Sequence, residues 1–185
     1  MSAIVGFYGG KLYDLDKITP DDIDMFDIGW ALAQNLRFNG HSIIGYSVAE
    51  HCVALSHVVP QHLKLPAFLH DAGEAFIGDI VTPVKRLFPE IEKLENRILE
   101  AIFAKHRLSM RLLEEVKEWD WQMCRTEAYW IMGNPEWAQK DPAPLLPWTI
   151  TQELYPSQRR SEYYARYEEL TGLPVRSSDD RQRTF

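Results

Sequence analysis

The chain has 185 residues, 45% of them hydrophobic and 25% charged, with a formal net charge of −7 and a pI near 5.4. This length is enough to bury the core of one domain and short for two. The acidic balance excludes a broad surface for duplex nucleic acid, because phosphate backbones are bound by clustered Lys and Arg. A small anionic substrate remains compatible, since a few local cations bind one.

The cysteines and the N-terminus favour a cytoplasmic protein. Cys52 and Cys124 form no CxxC pair and lie in apolar, helix-like contexts, where reduced thiols are usual. The first residues lack the charged start and apolar run of a signal peptide, and no stretch of about 18 apolar residues occurs. We therefore expect no membrane partner, and the sequence leaves a homo-oligomer open.

The N-terminal part of the chain predicts a hairpin followed by a helix. Residues 4–15 alternate around Gly9 and Gly10, which favours two short antiparallel strands joined by a glycine turn. Thr-Pro-Asp-Asp at 19–22 combines a cap, a first-turn proline and two acids, and predicts a helix that ends near residues 37–40.

The rest of the chain predicts helices. Ser47 and Glu50 have the spacing of a capping box, which predicts a helix that Pro60 stops. Pro66 then opens a helix that carries His-Asp-Ala-Gly-Glu and loosens near Gly78. Further helices are predicted to begin at Thr82 and Pro89 and to span residues 109–132 and 157–170.

Two segments depart from helical periodicity. Residues 134–156 contain five prolines, which predicts a wrapped loop or a flap over the functional site. Residues 176–185, rich in Ser, Asp and Arg, predict a mobile tail after a single domain at 1–175. The predicted fold class is all-α, a helical bundle with a small N-terminal β-hairpin.

The most informative stretch is HDAGE at residues 70–74. His70 and Asp71 are two metal-ligand residue types side by side, and Glu74 follows one helical turn later. Neighbours on a helix diverge by roughly 100°, so these two would approach a metal from its flanks, with Glu74 on the same face beside a metal-bound water. The alternative is a solvated His-Asp pair that arose by chance.

A hydrolytic metal site needs more ligands than one dipeptide supplies. By context the nearest candidates are His51 upstream and Asp120 downstream. Two imidazoles and two carboxylates would leave octahedral positions for water and a substrate oxygen, as catalysis requires. This ligand set favours one divalent transition metal, Mn²⁺, Co²⁺, Fe²⁺, Ni²⁺ or Zn²⁺, over Mg²⁺, and leaves a second ion open.

Three separated motifs carry a family resemblance. SVAEH at 47–51, FLHDAGEAFIGDIVTPVK at 68–85 and VKEWD at 116–120 are similar to the motifs of HD-domain phosphohydrolases. GDIVTPVK and RFNGHS at 37–42 resemble the 5′-deoxynucleotidase branch and its relatives, which include phage enzymes that remove triphosphate from dATP. The resemblance covers residues 28–132 and implies an HD-type helical bundle.

The resemblance implies roles for the residues that match the motifs. Glu74 corresponds to the acid that handles water, and Asp79 to a second acid that orients water or a leaving group. Asp79 could instead cap the turn that follows it. The metal ligands implied are His51, His70, Asp71 and Asp120.

Substrate contacts are implied less directly. Lys85 closes the TPVK motif, where it would meet phosphate or remain a solvated lysine. Lys117 lies three residues before Asp120, on nearly the same helix face, and offers a second cation. Arg37 and Phe38 fall where the deoxynucleotidase branch has arginine and tryptophan for sugar and phosphate contacts. Phenylalanine keeps the apolar wall and loses the indole donor.

The predicted function is a metal-dependent phosphohydrolase, with a nucleotide as its small-molecule partner. A 5′-deoxynucleotidase acting on deoxynucleoside monophosphates is favoured, and a deoxynucleoside triphosphate triphosphohydrolase of the dATP type is the alternative. A non-catalytic nucleotide sensor is a different class, against which Glu74 argues because a sensor needs no water-activating acid. A di-iron oxygenase on the same scaffold would need further histidine ligands beside His70.

Overall fold

The computed structural model describes residues 3–8 and 10–175, which form a helical bundle with a hairpin at the N-terminal side. This confirms the predicted fold class, and the predicted tail at 176–185 lies outside the described residues. The elements are β1 Ile4–Gly6, β2 Leu12–Asp14, α1 Met25–Leu32, α2 Val48–Val58, α3 Lys64–Leu69, α4 Glu74–Ile77, α5 Thr82–Lys85, α6 Pro89–Lys105, α7 Leu112–Ile131, α8 Glu136–Gln139 and α9 Pro156–Thr171.

The hairpin confirms the predicted strand pair and packs on the bundle. β1 and β2 are antiparallel, with Ile4 opposite Asp14, and Gly10 in the connection has a φ of 81° that glycine adopts without strain. Tyr13 on β2 is buried, and its ring meets Phe76 on α4 edge to face at 5.1 Å between centroids. The hairpin therefore covers the short helix that begins at Glu74.

The predicted start of the first helix was wrong. Helix α1 begins at Met25, and the Asp24 side chain accepts a hydrogen bond from the Phe26 N–H at 2.9 Å. Thr19 and Asp22 bond each other instead, the Thr19 hydroxyl donating to Asp22 Oδ2 at 2.6 Å. Several capping residues compete in this acidic segment, and the side chain nearest the buried apolar run caps the helix.

The core lies where α2, α3 and α9 meet. Phe68 on α3 is fully buried against Tyr163 on α9, with 4.4 Å between ring centroids. Arg166 on α9 donates from Nε to Ser56 Oγ on α2 at 2.8 Å. Gly29 on α1 lies against α9 so closely that an added Cβ would sit 2.3 Å from the Tyr164 ring. Glycine is therefore required at this crossing.

Residues 134–156 form a wrapped loop that includes α8. Arg125 on α7 donates hydrogen bonds to the carbonyls of Ala138, Asp141 and Ala143. Trp148 stacks on His57 at the far end of α2. These contacts hold the segment on the side of α7 and α2, so of the two predicted alternatives the structure favours the loop over the flap.

Among the described residues, no helix has both the length and the apolar character to cross a bilayer.

Candidate functional site

The capping box at the start of α2 sets the position of His51. The Ser47 hydroxyl oxygen accepts from the Glu50 N–H at 3.2 Å, and Glu50 Oε2 accepts from the Ser47 N–H at 2.8 Å, as the sequence predicted. Both residues are buried, as is His51 one position later. His51 thus lies in the first turn, with its backbone N–H bonded to the Ser47 carbonyl.

The HDAGE motif does not continue a helix, contrary to the prediction. Helix α3 ends at Leu69, and residues 70–73 form turns before α4. The bonds here span three residues, from the Ala72 N–H to the Leu69 carbonyl and from the Glu74 N–H to the Asp71 carbonyl, each at 3.0 Å. This tighter turn brings both His70 and Asp71 toward α2.

Four predicted ligands converge at this turn. His51 Nε2 lies 3.2 Å from His70 Nε2 and 3.1 Å from Asp120 Oδ1 on α7. His70 Nε2 lies 3.1 Å from Asp71 Oδ2, and His51 Nε2 lies 3.6 Å from that oxygen. Neighbouring ligands of an ion bound at about 2.0–2.2 Å are about 3.0–3.5 Å apart, so these separations fit a divalent ion.

The donor set also fits a divalent transition metal. Each ring is anchored through Nδ1, in His51 to Glu127 Oε1 at 2.6 Å and in His70 to the Ala67 carbonyl at 2.7 Å, which leaves Nε2 of each ring at the centre of the cluster. Two imidazole nitrogens and two carboxylate oxygens are ligands that such ions share. The cluster could therefore hold a metal.

Charge within the cluster shifts the acid–base behaviour of its members. Burial would raise the pKa of Asp120, but hydrogen bonds to His51 and His70 outweigh it and hold that pKa well below its ordinary value. Burial would lower the pKa of His70, but the Asp71 carboxylate outweighs it and raises that pKa well above the ordinary value. A metal binds the neutral imidazole, so an ion would compete with a proton for His70 Nε2.

Glu74 lies beside the cluster with one oxygen unpaired. The residue is 3% exposed, and its Oε2 has no hydrogen-bond partner among the residues that the structure describes. Burial, and then the nearby charges of Asp71 and Asp79, raise the pKa of Glu74 well above its usual range. Asp79 follows Gly78, which ends α4 with a φ of 83°, and burial raises the pKa of Asp79 as well.

Lys85 is held by two carboxylates. Its Nζ lies 3.3 Å from Glu74 Oε1 and 2.8 Å from the carboxylate of Glu95 on α6. Burial would lower the pKa of Lys85, but these two acids outweigh it and raise that pKa. Glu95 escaped the sequence analysis because only the packing of α5 on α6 brings it to Lys85.

Arg37 is buried behind the ligands. Its Nη1 lies 3.3 Å from Asp71 Oδ2, and its Nε donates to Glu127 Oε2 at 3.1 Å. The centroid of the Phe38 ring lies 5.4 Å from the guanidinium carbon of Arg37. The backbone of Phe38 has a φ of 57°, in the left-handed region. Arg37 thus contacts carboxylates of the cluster, whereas the resemblance gives it sugar and phosphate contacts.

Glu127 is a further site residue that the sequence analysis missed. It lies on α7, seven positions after Asp120, so two helical turns place both on one face. That spacing is the signal that could have identified it. The sequence alone does not reveal that the side chain is fully buried between His51 and Arg37.

A cavity of about 340 Å³ opens beside His70 and Asp120. Lys117 stands at its exposed side, where its Nζ lies 2.7 Å from Glu114 Oε1 on the same helix. Arg37 and Phe38 are outside the lining. The cavity is lined by His70, Thr82, Lys85, Arg86, Glu92, Glu95, Asn96, Leu99, Leu113, Val116, Lys117 and Asp120.

Paired histidines and aspartates from three separated motifs, set in a helical bundle, define the class of HD-domain phosphohydrolases. Residues 43–128 match the model of a family described as 5′-deoxynucleotidase YfbR-like. The chain belongs to this family.

Similarity to curated proteins extends beyond these residues. The chain is 32% identical over 181 residues to the uncharacterized protein RCAP_rcc00048 of Rhodobacter capsulatus, covering 87% of this chain and 92% of that protein. It is 41% identical over 120 residues to the uncharacterized protein YfdR of Escherichia coli, covering 65% and 67%. It is 44% identical over 59 residues to 5′-deoxynucleotidase VP0926 of Vibrio parahaemolyticus, covering 32% and 29%. The family and this partial match support a nucleotide phosphohydrolase.

Proposed function

We propose that the protein is a divalent-metal-dependent 5′-deoxynucleotidase, which hydrolyses deoxynucleoside 5′-monophosphates to deoxynucleosides and orthophosphate. The observation that carries the proposal is the convergence of two imidazoles and two carboxylates, in which the two histidine Nε2 atoms lie 3.1–3.6 Å from each other and from the carboxylate oxygens. Beside them lies Glu74 Oε2, which has no hydrogen-bond partner among the described residues. His51, His70, Asp71 and Asp120 would hold the ion.

The bound ion and the carboxylate of Glu74 would have different roles in hydrolysis. When bound, the ion supplies charge neutralisation at phosphorus and lowers the pKa of the attacking water from about 15.7 toward neutrality. Glu74 holds that water through Oε2 and accepts its proton. Its raised pKa supports this role, because a carboxylate with a raised pKa takes up a proton more readily than an ordinary one. Asp79, close enough to raise the pKa of Glu74, orients the water or the leaving group.

The cations divide into two groups. Lys85 lines the cavity and can exchange its contact with Glu74 for a phosphate oxygen, while Glu95 keeps it in place. Lys117 at the exposed side offers a second contact, which is more open to solvent than that of Lys85. Arg37 is buried and its role is to fix Asp71, and Phe38 packs against the guanidinium.

Charge in the cavity supports a monophosphate over a triphosphate. Three cationic side chains in the lining are balanced by three acidic ones, so the lining side chains supply no excess of positive charge, and a bound divalent ion would be the main cation that faces a phosphate group. A triphosphate carries about two more negative charges and should recruit further cations.

The test is a screen of deoxy- and ribonucleoside mono- and triphosphates with Mn²⁺, Co²⁺, Fe²⁺, Ni²⁺ and Zn²⁺, with products identified. We expect orthophosphate from deoxynucleoside monophosphates and no turnover after chelation. Inorganic triphosphate released from dATP would replace the monophosphate assignment with the triphosphohydrolase. Nucleotide binding without any turnover would identify a sensor and contradict the proposed enzymatic activity.

A further inference from the structure

Glu127 joins two functional side chains without lining the cavity. Its carboxylate is fully buried on α7, with Oε1 2.6 Å from His51 Nδ1 and Oε2 3.1 Å from Arg37 Nε. Arg37 continues the chain of contacts to Asp71 Oδ2 at 3.3 Å. The Tyr46 hydroxyl is also close by, and burial, followed by the Glu127 charge, raises its pKa well above the ordinary value.

Each oxygen of Glu127 lies within hydrogen-bond distance of one nitrogen, and the nearby Tyr46 hydroxyl has no hydrogen-bond partner among the described residues. An ionised carboxylate only accepts hydrogen bonds, and an arginine Nε–H only donates. The proton on the other bond must therefore belong to His51 Nδ1. With Nδ1 protonated, the neutral ring carries its lone pair on Nε2, which is the atom 3.2 Å from His70 and 3.1 Å from Asp120.

We propose that Glu127 is a positioning residue of the metal site, which holds His51 in the ring orientation and tautomer that direct Nε2 to the ion. Arg37 supports this arrangement, because its guanidinium contacts both Glu127 and Asp71 and orients the two carboxylates. The inference rests on the metal site proposed above. Metal binding by the wild-type protein tests that site independently of Glu127.

The position discriminates between a carboxylate and an amide. In Glu127→Gln, one end of the side chain accepts and the other donates, so only one of the two neighbours keeps an acceptor. The charged guanidinium is the stronger donor and should take the amide oxygen. The amide NH₂ then faces His51 Nδ1 and favours the tautomer with the proton on Nε2, which blocks the metal.

The experiment is titration of the metal-free protein with Zn²⁺ and with Mn²⁺, measuring affinity directly. We expect Glu127→Gln to bind each ion about 10–100-fold more weakly than wild type, the usual effect of losing such a hydrogen bond. The matched control is Asp27→Asn, which neutralises another fully buried carboxylate, on α1, where Asp27 Oδ2 accepts a hydrogen bond from the Tyr13 hydroxyl at 2.7 Å. It should change affinity less than about threefold, because it leaves His51 Nδ1 bonded.

A double-mutant cycle separates positioning from a general loss of stability. In Arg37→Met, the amide of Glu127→Gln is free to turn its oxygen to His51. The affinity lost through Glu127→Gln should therefore shrink to less than about threefold in this background. A merely structural role predicts that the two losses add, and an equal loss in both backgrounds would overturn the proposal.

A spectroscopic readout covers the case in which Glu127→Gln does not fold. Nitrogen-15 NMR of the zinc-loaded wild-type protein should show a His51 Nδ1–H proton that exchanges slowly with solvent, as expected for a buried bond of 2.6 Å. A rapidly exchanging Nδ1–H would overturn the inference. Failure of the wild-type protein to bind metal would instead overturn the proposed function.

Discussion

Glu74→Gln separates the chemistry of the site from its stability. The substitution keeps the shape of the side chain and removes its ability to take a proton at the unpaired Oε2. Loss of a general base lowers turnover by about 10²–10⁴-fold, or roughly 2.7–5.5 kcal/mol in activation free energy. We expect that loss in kcat for orthophosphate release from a deoxynucleoside monophosphate, with metal content unchanged.

Although kcat falls in Glu74→Gln, the free energy of unfolding of the metal-free protein should not fall. A folded-state pKa raised above the unfolded value contributes stability at acidic pH, and that contribution is lost as the pH rises through the folded pKa. At neutral pH the fold therefore disfavours the ionised Glu74, and a neutral amide removes this cost. Lys85 keeps its 2.8 Å contact with Glu95. Urea unfolding at pH 7 should show an unfolding free energy equal to or above that of wild type.

Glu95→Gln is the matched control, because it alters the other carboxylate on Lys85 and leaves Glu74 intact. It should reduce kcat less than about tenfold. Wild-type turnover by metal-loaded Glu74→Gln would refute the assignment of the base. Loss of metal from that variant would instead make Glu74 part of the ion's ligand shell.

Two further predictions concern pKa values. In Lys85→Met the acidic limb of kcat/KM against pH should move to higher pH, because the lysine charge lowers the pKa of Glu74 and the base loses its proton later without it. An unmoved limb, measured against wild type, would show that Glu74 does not titrate in that limb. Burial raises the pKa of Cys52 to about 11 and of Cys124 to about 12, so iodoacetamide at pH 8 should label neither thiol in the native protein and both in urea. Mass spectrometry measures this, and full labelling of native Cys52 would contradict the burial.

Elements specified by neighbouring residues were predictable from the sequence. The capping box of Ser47 and Glu50 needs four residues and fixes α2, and Gly172 with a φ of 70° ends α9 as its position after the last helical residue predicts. The break at His70 was not predictable in this way. His70, Asp71 and Gly73 are weaker helix formers than Ala or Leu, but weak formers also occur inside helices, so intrinsic propensity does not place a break after Leu69.

The same division holds within the site. His51, His70, Asp71 and Asp120 lie in motifs similar to those of HD-domain phosphohydrolases, so the resemblance implied them as candidate ligands, and the structure brings them together. Glu95 and Glu127 became visible only with the fold, since each is defined by a buried partner far away in sequence, Lys85 for one and His51 for the other. No short sequence motif identifies a buried carboxylate whose partner lies far away in the sequence.

The hydrogen bonds from Arg125 to the wrapped loop affect where local unfolding of the protein begins. One side chain donates to three carbonyls between Ala138 and Ala143, in a segment with few backbone bonds of its own. Arg125 therefore acts as a non-covalent cross-link between α7 and residues 138–143, and its release would return conformational entropy to that stretch. We expect local unfolding to begin in the wrapped loop. The contacts between Asp120 on α7 and the other candidate metal ligands should still be intact when the loop has opened.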